Sequence, residues 1–292
     1  MSFEITYVII TPAHNEESYI QFTLDSVVAQ TIQPAQWIIV DDGSTDGTAD
    51  IVQGYANKYP WIKLIKNSPH ETTRQGGRKV VRAFNCGYQA LDISDFEFAV
   101  KLDADLTLPS NYFEEVGRTF DADPVVGMCG GYLSEYSDGK WKKAQAASYH
   151  LRGAIKAYRK NCLSQISGIP ITFNWDFIDE MKAMSLGWTI KILPLEVKHH
   201  RKTSTLINRG LNSSFVTGKQ YYKDGYDLFL AICRSATYGL RTKPYILTSF
   251  GFLLGFLYNC WYKPQKEVDP ELEAFIKKFQ YARIKNILLR KS

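Results

Sequence analysis

Through the first 130 residues, short β-branched runs alternate with amphipathic runs of helical period, and this restricts the fold more than any other feature. Ile5–Thr11, Gln36–Val40, Ile62–Ile65, Phe96–Leu102 and Val125–Gly130 read as strands. Tyr19–Gln30, Thr48–Tyr59, Arg78–Leu91 and Asn111–Phe120 read as the helices between them. In the first of these, Ile20, Leu24, Val27 and Val28 share one apolar face. Such alternation predicts an α/β fold, a mostly parallel central sheet flanked by helices on both faces. Ligands of such sheets bind beyond the carboxyl ends of the strands, so the turns that follow the strands are where chemistry is expected.

Those turns are acidic. Thr11–Pro–Ala–His–Asn–Glu–Glu17 follows the first strand, Asp41–Asp–Gly–Ser–Thr–Asp–Gly–Thr48 the second, and Asp103–Ala–Asp105 the fourth. Asp, Ser and Gly also serve ordinary turns and helix caps. Three acidic clusters at one sheet edge, however, repel one another, and a bound cation is the natural compensation. Asp103 and Asp105 lie two apart, on one face of an extended chain, and can hold a hard divalent ion with positions left for phosphate oxygens. A nucleoside diphosphate with Mg²⁺ or Mn²⁺ is the expected ligand.

Pro12–Ala–His–Asn–Glu–Glu17, Asp41–Asp–Gly–Ser–Thr–Asp46 and Lys101–Leu–Asp–Ala–Asp105 resemble, in order and spacing, the three signatures of family 2 glycosyltransferases, inverting enzymes of the GT-A (Rossmann-like) fold. The resemblance runs from residue 5 to about 205. It implies that Pro12, Ala13, Asn15 and Glu17 line a nucleotide-sugar pocket. Asp42 would accept a hydrogen bond from the base, with Gly43 and Ser44 allowing close approach. Asp103 would contact ribose or metal, and Asp105 would ligate the metal. In the basic stretch Arg74–Lys79, Arg78 or Lys79 would contact the diphosphate.

An inverting transfer also needs a base to take the proton of the acceptor hydroxyl. The family places an acidic dyad at the start of a helix after a glycine-rich loop. Here Trp175–Asp176 occupies that position, with Trp replacing the first acid, so Asp176 is the expected base and Asp179 the reserve. Trp175 offers an aromatic face to a sugar or to the core. After a helix Phe177–Leu186 and a strand Thr189–Leu193, His199 or the adjacent His200 is the expected third metal ligand. Arg201 and Lys202 would pair with the diphosphate, and Lys202–Thr205 would form a lid. Tyr149–Cys162 is expected to be a helix that turns Arg152 and Arg159 toward the acceptor.

The expected organisation is a GT-A domain over 1–205, with a nucleotide-sugar half (1–130) and an acceptor and catalytic half (131–205), then a helical region over 206–292. Pro244–Tyr262 holds 19 residues without a charge between Lys243 and Lys263, and Phe275–Ser292 holds six basic residues and no acid. The first reads as a hairpin, a span or a membrane-associated segment, the second as a basic amphipathic helix for an anionic lipid surface or a helix capping the domain. Thirty-five basic against 30 acidic residues is too mild an excess to indicate nucleic acid. The N-terminal residues resemble no export signal, and five widely spaced cysteines predict no disulfide framework and an intracellular setting. The reading is a glycosyltransferase at the cytoplasmic face of a membrane, using a nucleotide sugar, UDP-linked by preference, and a glycan or lipid-linked acceptor. A nucleotidyltransferase would share the sheet, but it would place a glycine-rich basic loop where this chain has Pro12–Glu17. A non-catalytic sugar-nucleotide- or glycan-binding homologue is opposed by the intact acidic set.

Overall fold

The computed structural model describes residues 5–67, 77–144, 147, 149–201, 210–239 and 245–289. The chain divides into two compact units, one of Met1–Ile171 and Trp175–Lys202, the other of Thr172–Asn174 and Thr203–Ser292.

In the first unit, β1 (Tyr7–Ala13), β2 (Gln36–Asp41), β3 (Ile62–Lys66) and β4 (Phe98–Leu102) lie parallel in the order β3-β2-β1-β4. The central strands are covered on both faces, which is why β1 and β2 read as unbroken apolar runs. Successive residues of β1 feed opposite layers. Tyr7 and Ile9 join the core that includes Leu24 of α1 (Ile20–Val28) and Val52 of α2 (Thr48–Lys58). Val8 and Ile10 join Val81 and Phe84 of α3 (Gly77–Gln89).

β5 (Leu106–Thr107), α4 (Tyr112–Ala122), β6 (Val126–Ser137), β7 (Lys140–Lys143), β8 (Ile155–Arg159), α5 (Lys160–Gln165), α6 (Trp175–Ser185) and β9 (Thr189–His199) complete the unit. The sheet continues β4-β8-β6-β9-β5, with β7 paired to β6. β8 is antiparallel to both β4 and β6, so the sheet is mixed on this side. The helix expected over Tyr149–Cys162 is corrected here: Ile155–Arg159 is a buried strand, followed by the short α5. Lys156 disguises it, being charged yet wholly buried because acids on α6 neutralise it. Arg159, expected to face an acceptor, instead donates to the carbonyls of Phe120, Asp123 and Val126. β9 also runs past the expected end at Leu193. It carries Pro194 through an irregularity in its pairing with β6 and so delivers His199 to the site edge.

The second unit holds α7 (Leu211–Lys223), α8 (Leu228–Gly239), α9 (Tyr245–Tyr262) and α10 (Pro270–Leu289). α7 and α9 touch backbone to backbone: a Cβ on Gly255 would lie 2.0 Å from the Phe215 carbonyl oxygen, and one on Gly218 would lie 1.9 Å from that of Phe252. Asn259 of α9 donates to the Lys219 carbonyl at 2.8 Å. The uncharged run Pro244–Tyr262 thus forms α9 from Tyr245 on; Pro244 lies outside the described residues. Among the described residues no helix is long and apolar enough to cross a membrane. α9 buries Thr248, Phe252, Phe256 and Asn259 and exposes Ile246, Phe250, Leu254, Leu257 and Trp261.

Candidate functional site

Because β1, β2 and β4 are parallel neighbours, the segments after them leave the sheet at one edge. The first two are tied together directly. The Asn15 N–H donates to Ser44 Oγ at 2.9 Å, and Asn15 Oδ1 accepts from the Thr45 N–H at 2.8 Å. Asn15 takes a left-handed φ of 54°, and Gly43 one of 72° that a residue with a Cβ would resist. Asp46 accepts from the Glu17 N–H at 3.2 Å and from the Thr48 N–H and hydroxyl. Asp42 accepts from Asn67 Nδ2 at 3.1 Å and is half-buried, while Pro12 and Ala13 close the end of β1. Arg78 and Lys79 occupy the first turn of α3, at the same edge; Arg74 and Lys202–Thr205 lie outside the described residues.

The third segment brings the charge. Asp105 Oδ2 lies 3.2 Å from His199 Nε2, and Asp105 Oδ1 is buried without a hydrogen-bond partner. Asp103 pairs with Lys101, whose buried Nζ also donates to the Gly153 carbonyl at 2.7 Å. Glu16 pairs with Arg201, and Arg201 Nε lies 3.8 Å from Asp105 Oδ2. Burial, then the charge of Asp105, pushes the Glu16 carboxyl up to about 8 against the pull of Arg201. Burial likewise raises Asp103, with Lys101 opposing. At His199, burial disfavours the imidazolium, but the hydrogen bond and charge of Asp105, with Asp103 and Glu135 behind it, prevail and raise its pKa.

His200 points elsewhere: it stacks on Phe22 and bonds Thr107 Oγ1 at 2.8 Å, and burial lowers its pKa. Of the two histidines, His199 is the one whose ring meets the Asp105 carboxylate; His200 donates only its backbone N–H to the Asp105 carbonyl, at 3.0 Å. Glu16 is the site residue that sequence reasoning passed over; its membership of the first acidic segment was the available signal.

Among the described residues no group of three His, Cys, Asp or Glu side chains is already gathered as a metal cage. The donor set nevertheless fits a divalent ion. Two carboxylates suit Mg²⁺ or Mn²⁺, and an imidazole beside them suits a transition ion such as Mn²⁺ better than Mg²⁺. The orphaned Asp105 Oδ1 lacks the partner that buried polar atoms ordinarily find. The 3.2 Å between Asp105 and His199 is near the ~3.0 Å that separates adjacent ligands around one octahedral ion.

Beside this edge α6 begins. Asp176 sits in its first turn with the side chain one-third exposed, 33 %, and its Cβ lies against Gly153, where an added Cβ would come within 3.3 Å. The same Gly153 accepts from Lys101, the partner of Asp103, so it neighbours both that ion pair and Asp176. Trp175 is 6 % exposed; Lys101 and Lys156 lie 5.2 and 5.5 Å from its ring centroids, which makes it core beneath the site. Asp179 is wholly buried, accepting from Lys156 at 2.9 Å and from Tyr158 at 2.6 Å, and burial pushes its carboxyl up to about 6. Arg152 is half-buried in the segment that leads into β8.

The architecture is that of solved glycosyltransferases. The S. aureus TarS 1–349 structure in complex with UDP-GlcNAc superposes with a TM-score of 0.57 at 17 % identity, covering 89 % of this chain and 74 % of that one. Mannosyltransferase PcManGT from Pyrobaculum calidifontis, in complex with GDP-Man and Mn²⁺, gives 0.54 at 18 % identity, covering 94 % and 74 %. The class is therefore α/β with the GT-A fold. The sequence profile described as Glycosyl transferase family 2 matches residues 8–177, more than half the chain, and the chain belongs to that family. Putative glycosyltransferase EpsH of Bacillus subtilis (strain 168) is 31 % identical over 130 residues, 44 % of this chain and 34 % of EpsH. The chain thus matches about a third of that relative's length.

Proposed function

We propose that the chain is an inverting glycosyltransferase that moves a sugar from a nucleotide-sugar donor to a hydroxyl of a glycan or lipid-linked acceptor. The observation that carries this reading is the meeting of Asp105 with His199 at 3.2 Å, with Arg201 bridging Glu16 toward Asp105 and Lys101 pairing with Asp103, all within one unit. The UDP-GlcNAc named with TarS and the GDP-Man named with PcManGT support a nucleotide-sugar donor; the donor we favour is a UDP-sugar.

Pro12, Ala13, Asn15, Glu17, Asp42, Gly43 and Ser44 would hold the nucleotide, with Asp42 accepting from the base. Arg78, Lys79 and Asp103 would meet the ribose and diphosphate. Asp103, Asp105 and His199 would hold Mn²⁺ or Mg²⁺, and the Mn²⁺ named with PcManGT supports this. When bound, the ion would offset the charge that develops on the nucleoside diphosphate as it leaves. Asp176 would take the acceptor proton, its exposed carboxylate suiting it better than the buried Asp179. Arg201, held by Glu16 beside Asp105, would add positive charge at the leaving group. Arg152 would lie on the acceptor side.

The exposed stripe Ile246, Phe250, Leu254, Leu257 and Trp261 on α9 supports attachment to a membrane surface, where a lipid-linked acceptor would reside. The test of the proposed reaction is a thermal-shift screen of UDP-, GDP- and dTDP-sugars with and without Mn²⁺. Stabilisation by one nucleotide class, increased by Mn²⁺, is expected. No stabilisation by any of them would refute the reading.

A further inference from the structure

His150 lies between two carboxylates of α6. Its Nδ1 is 2.9 Å from Glu180 Oε2, and its Nε2 is 3.8 Å from Asp176 Oδ2. Asp176 and Glu180 are four residues apart on the helix and share one face. Glu180 is wholly buried and fixed: its Oε1 accepts from the Leu151 N–H at 2.8 Å and lies 3.0 Å from Lys156 Nζ. A carboxylate in that position accepts, so Nδ1 carries the imidazole proton and Nε2 is presented toward Asp176. The charged and titratable groups around the ring are Asp176 and Glu180 of α6, Lys156 of β8 behind Glu180, and Tyr149 beside it in the chain. The His150 side chain is 23 % exposed.

We propose that His150 is a positioning residue and proton relay for Asp176, an inference that rests on the reading of Asp176 as the base. The acceptor O–H bond breaks as its oxygen bonds to the anomeric carbon, and the bond from that carbon to the phosphate oxygen breaks, its electron pair leaving with the nucleoside diphosphate. The hydroxyl proton passes to Asp176 Oδ2, then to His150 Nε2, and from Nε2 to water. While the ring is charged, it sits between Asp176 and the buried Glu180, as the imidazolium of a histidine–carboxylate pair is held elsewhere in acid–base catalysis. The 3.8 Å separation is longer than a hydrogen bond, and such contacts commonly tighten only when substrate is present.

The test follows release of nucleoside diphosphate from a panel of UDP- and GDP-sugars with Mn²⁺, water serving as acceptor. His150→Ala and His150→Gln are both measured, and the thermal shift given by UDP with Mn²⁺ checks that each is folded. Turnover should fall about ten-fold in both, with the donor KM unchanged, and added imidazole should restore activity to His150→Ala but not to His150→Gln. Folded variants with undiminished turnover, or a loss in His150→Ala that imidazole does not repair, would overturn the relay while leaving Asp176 as base. Full activity in Asp176→Asn, or no turnover of the panel by the unaltered protein, would overturn the base reading itself.

Discussion

Replacing Lys156 by Met removes the ammonium that lies beside two wholly buried carboxylates, Asp179 and Glu180. Lys156 Nζ is itself buried, 2.9 Å from Asp179 Oδ1, 3.0 Å from Glu180 Oε1 and 2.5 Å from the Asp176 carbonyl oxygen. Burial works against its charge, but Asp179, Glu180 and Asp176 outweigh burial and raise its pKa. Breaking a buried pair by removing one partner costs about 3–5 kcal/mol, because the remaining charge has neither water nor a partner. The loss should depend on pH in a definite direction. Asp179, ordinarily at 3.8, is already pushed up to about 6, chiefly by burial. An acid whose folded pKa is raised binds its proton more tightly folded than unfolded, so its contribution is present at low pH and lost as pH rises through the folded value. Without Lys156 that value moves higher still, and the variant should regain part of its deficit on acidification. Denaturant unfolding of Lys156→Met against the unaltered chain at about pH 7.5 and about pH 5.5 measures both effects. A loss under about 1 kcal/mol at the higher pH, or one that does not shrink at the lower, would refute the assignment of a charged buried cluster.

Mn²⁺ must displace the proton held by His199, whose pKa is raised, and its charge beside Asp105 would also favour the ionised form of the neighbouring Glu16, pushed up to about 8. Its affinity should therefore climb as pH rises toward about 8 and then level off, with proton release on binding visible by calorimetry in two buffers; a flat profile would contradict the cluster. Gly255→Ala should destabilise the helical unit by about 2 kcal/mol or more, since the new Cβ meets the Phe215 carbonyl. Gly54→Ala, in open space on α2, should stabilise by about 0.5–1 kcal/mol; equal effects in the two variants would show that the α7–α9 crossing is not tight. If α9 meets lipid, Phe250→Ser with Trp261→Ser should lower sedimentation with anionic vesicles without changing the thermal shift given by UDP.

The parallel half of the sheet and its acidic turns were legible because both signals are local. Runs such as Tyr7–Ile10 and Trp37–Val40 are apolar on both faces, and the turns after them change composition abruptly. β8 was not legible: Lys156 is neutralised chiefly by Asp179 and Glu180, more than twenty residues on, and no window around Tyr149–Cys162 contains them. Pro194 hid the second half of β9, since the pairing irregularity that admits it depends on β6. The role of Glu16 was hidden for the same reason, because its neighbours Asp105 and Arg201 come from distant strands. His150 reads as an isolated histidine until α6 sets Glu180 and Asp176 on either side of it.

The claim on which the functional account turns is that Asp105, with Asp103 and His199, joins a divalent ion to a nucleoside diphosphate. Calorimetric titration of UDP into the protein, with and without Mn²⁺, and into Asp105→Ala, measures that directly. Mn²⁺-dependent binding is expected, and Asp105→Ala should lose it while remaining folded. Binding of equal strength in the two proteins, or binding indifferent to Mn²⁺, would contradict it.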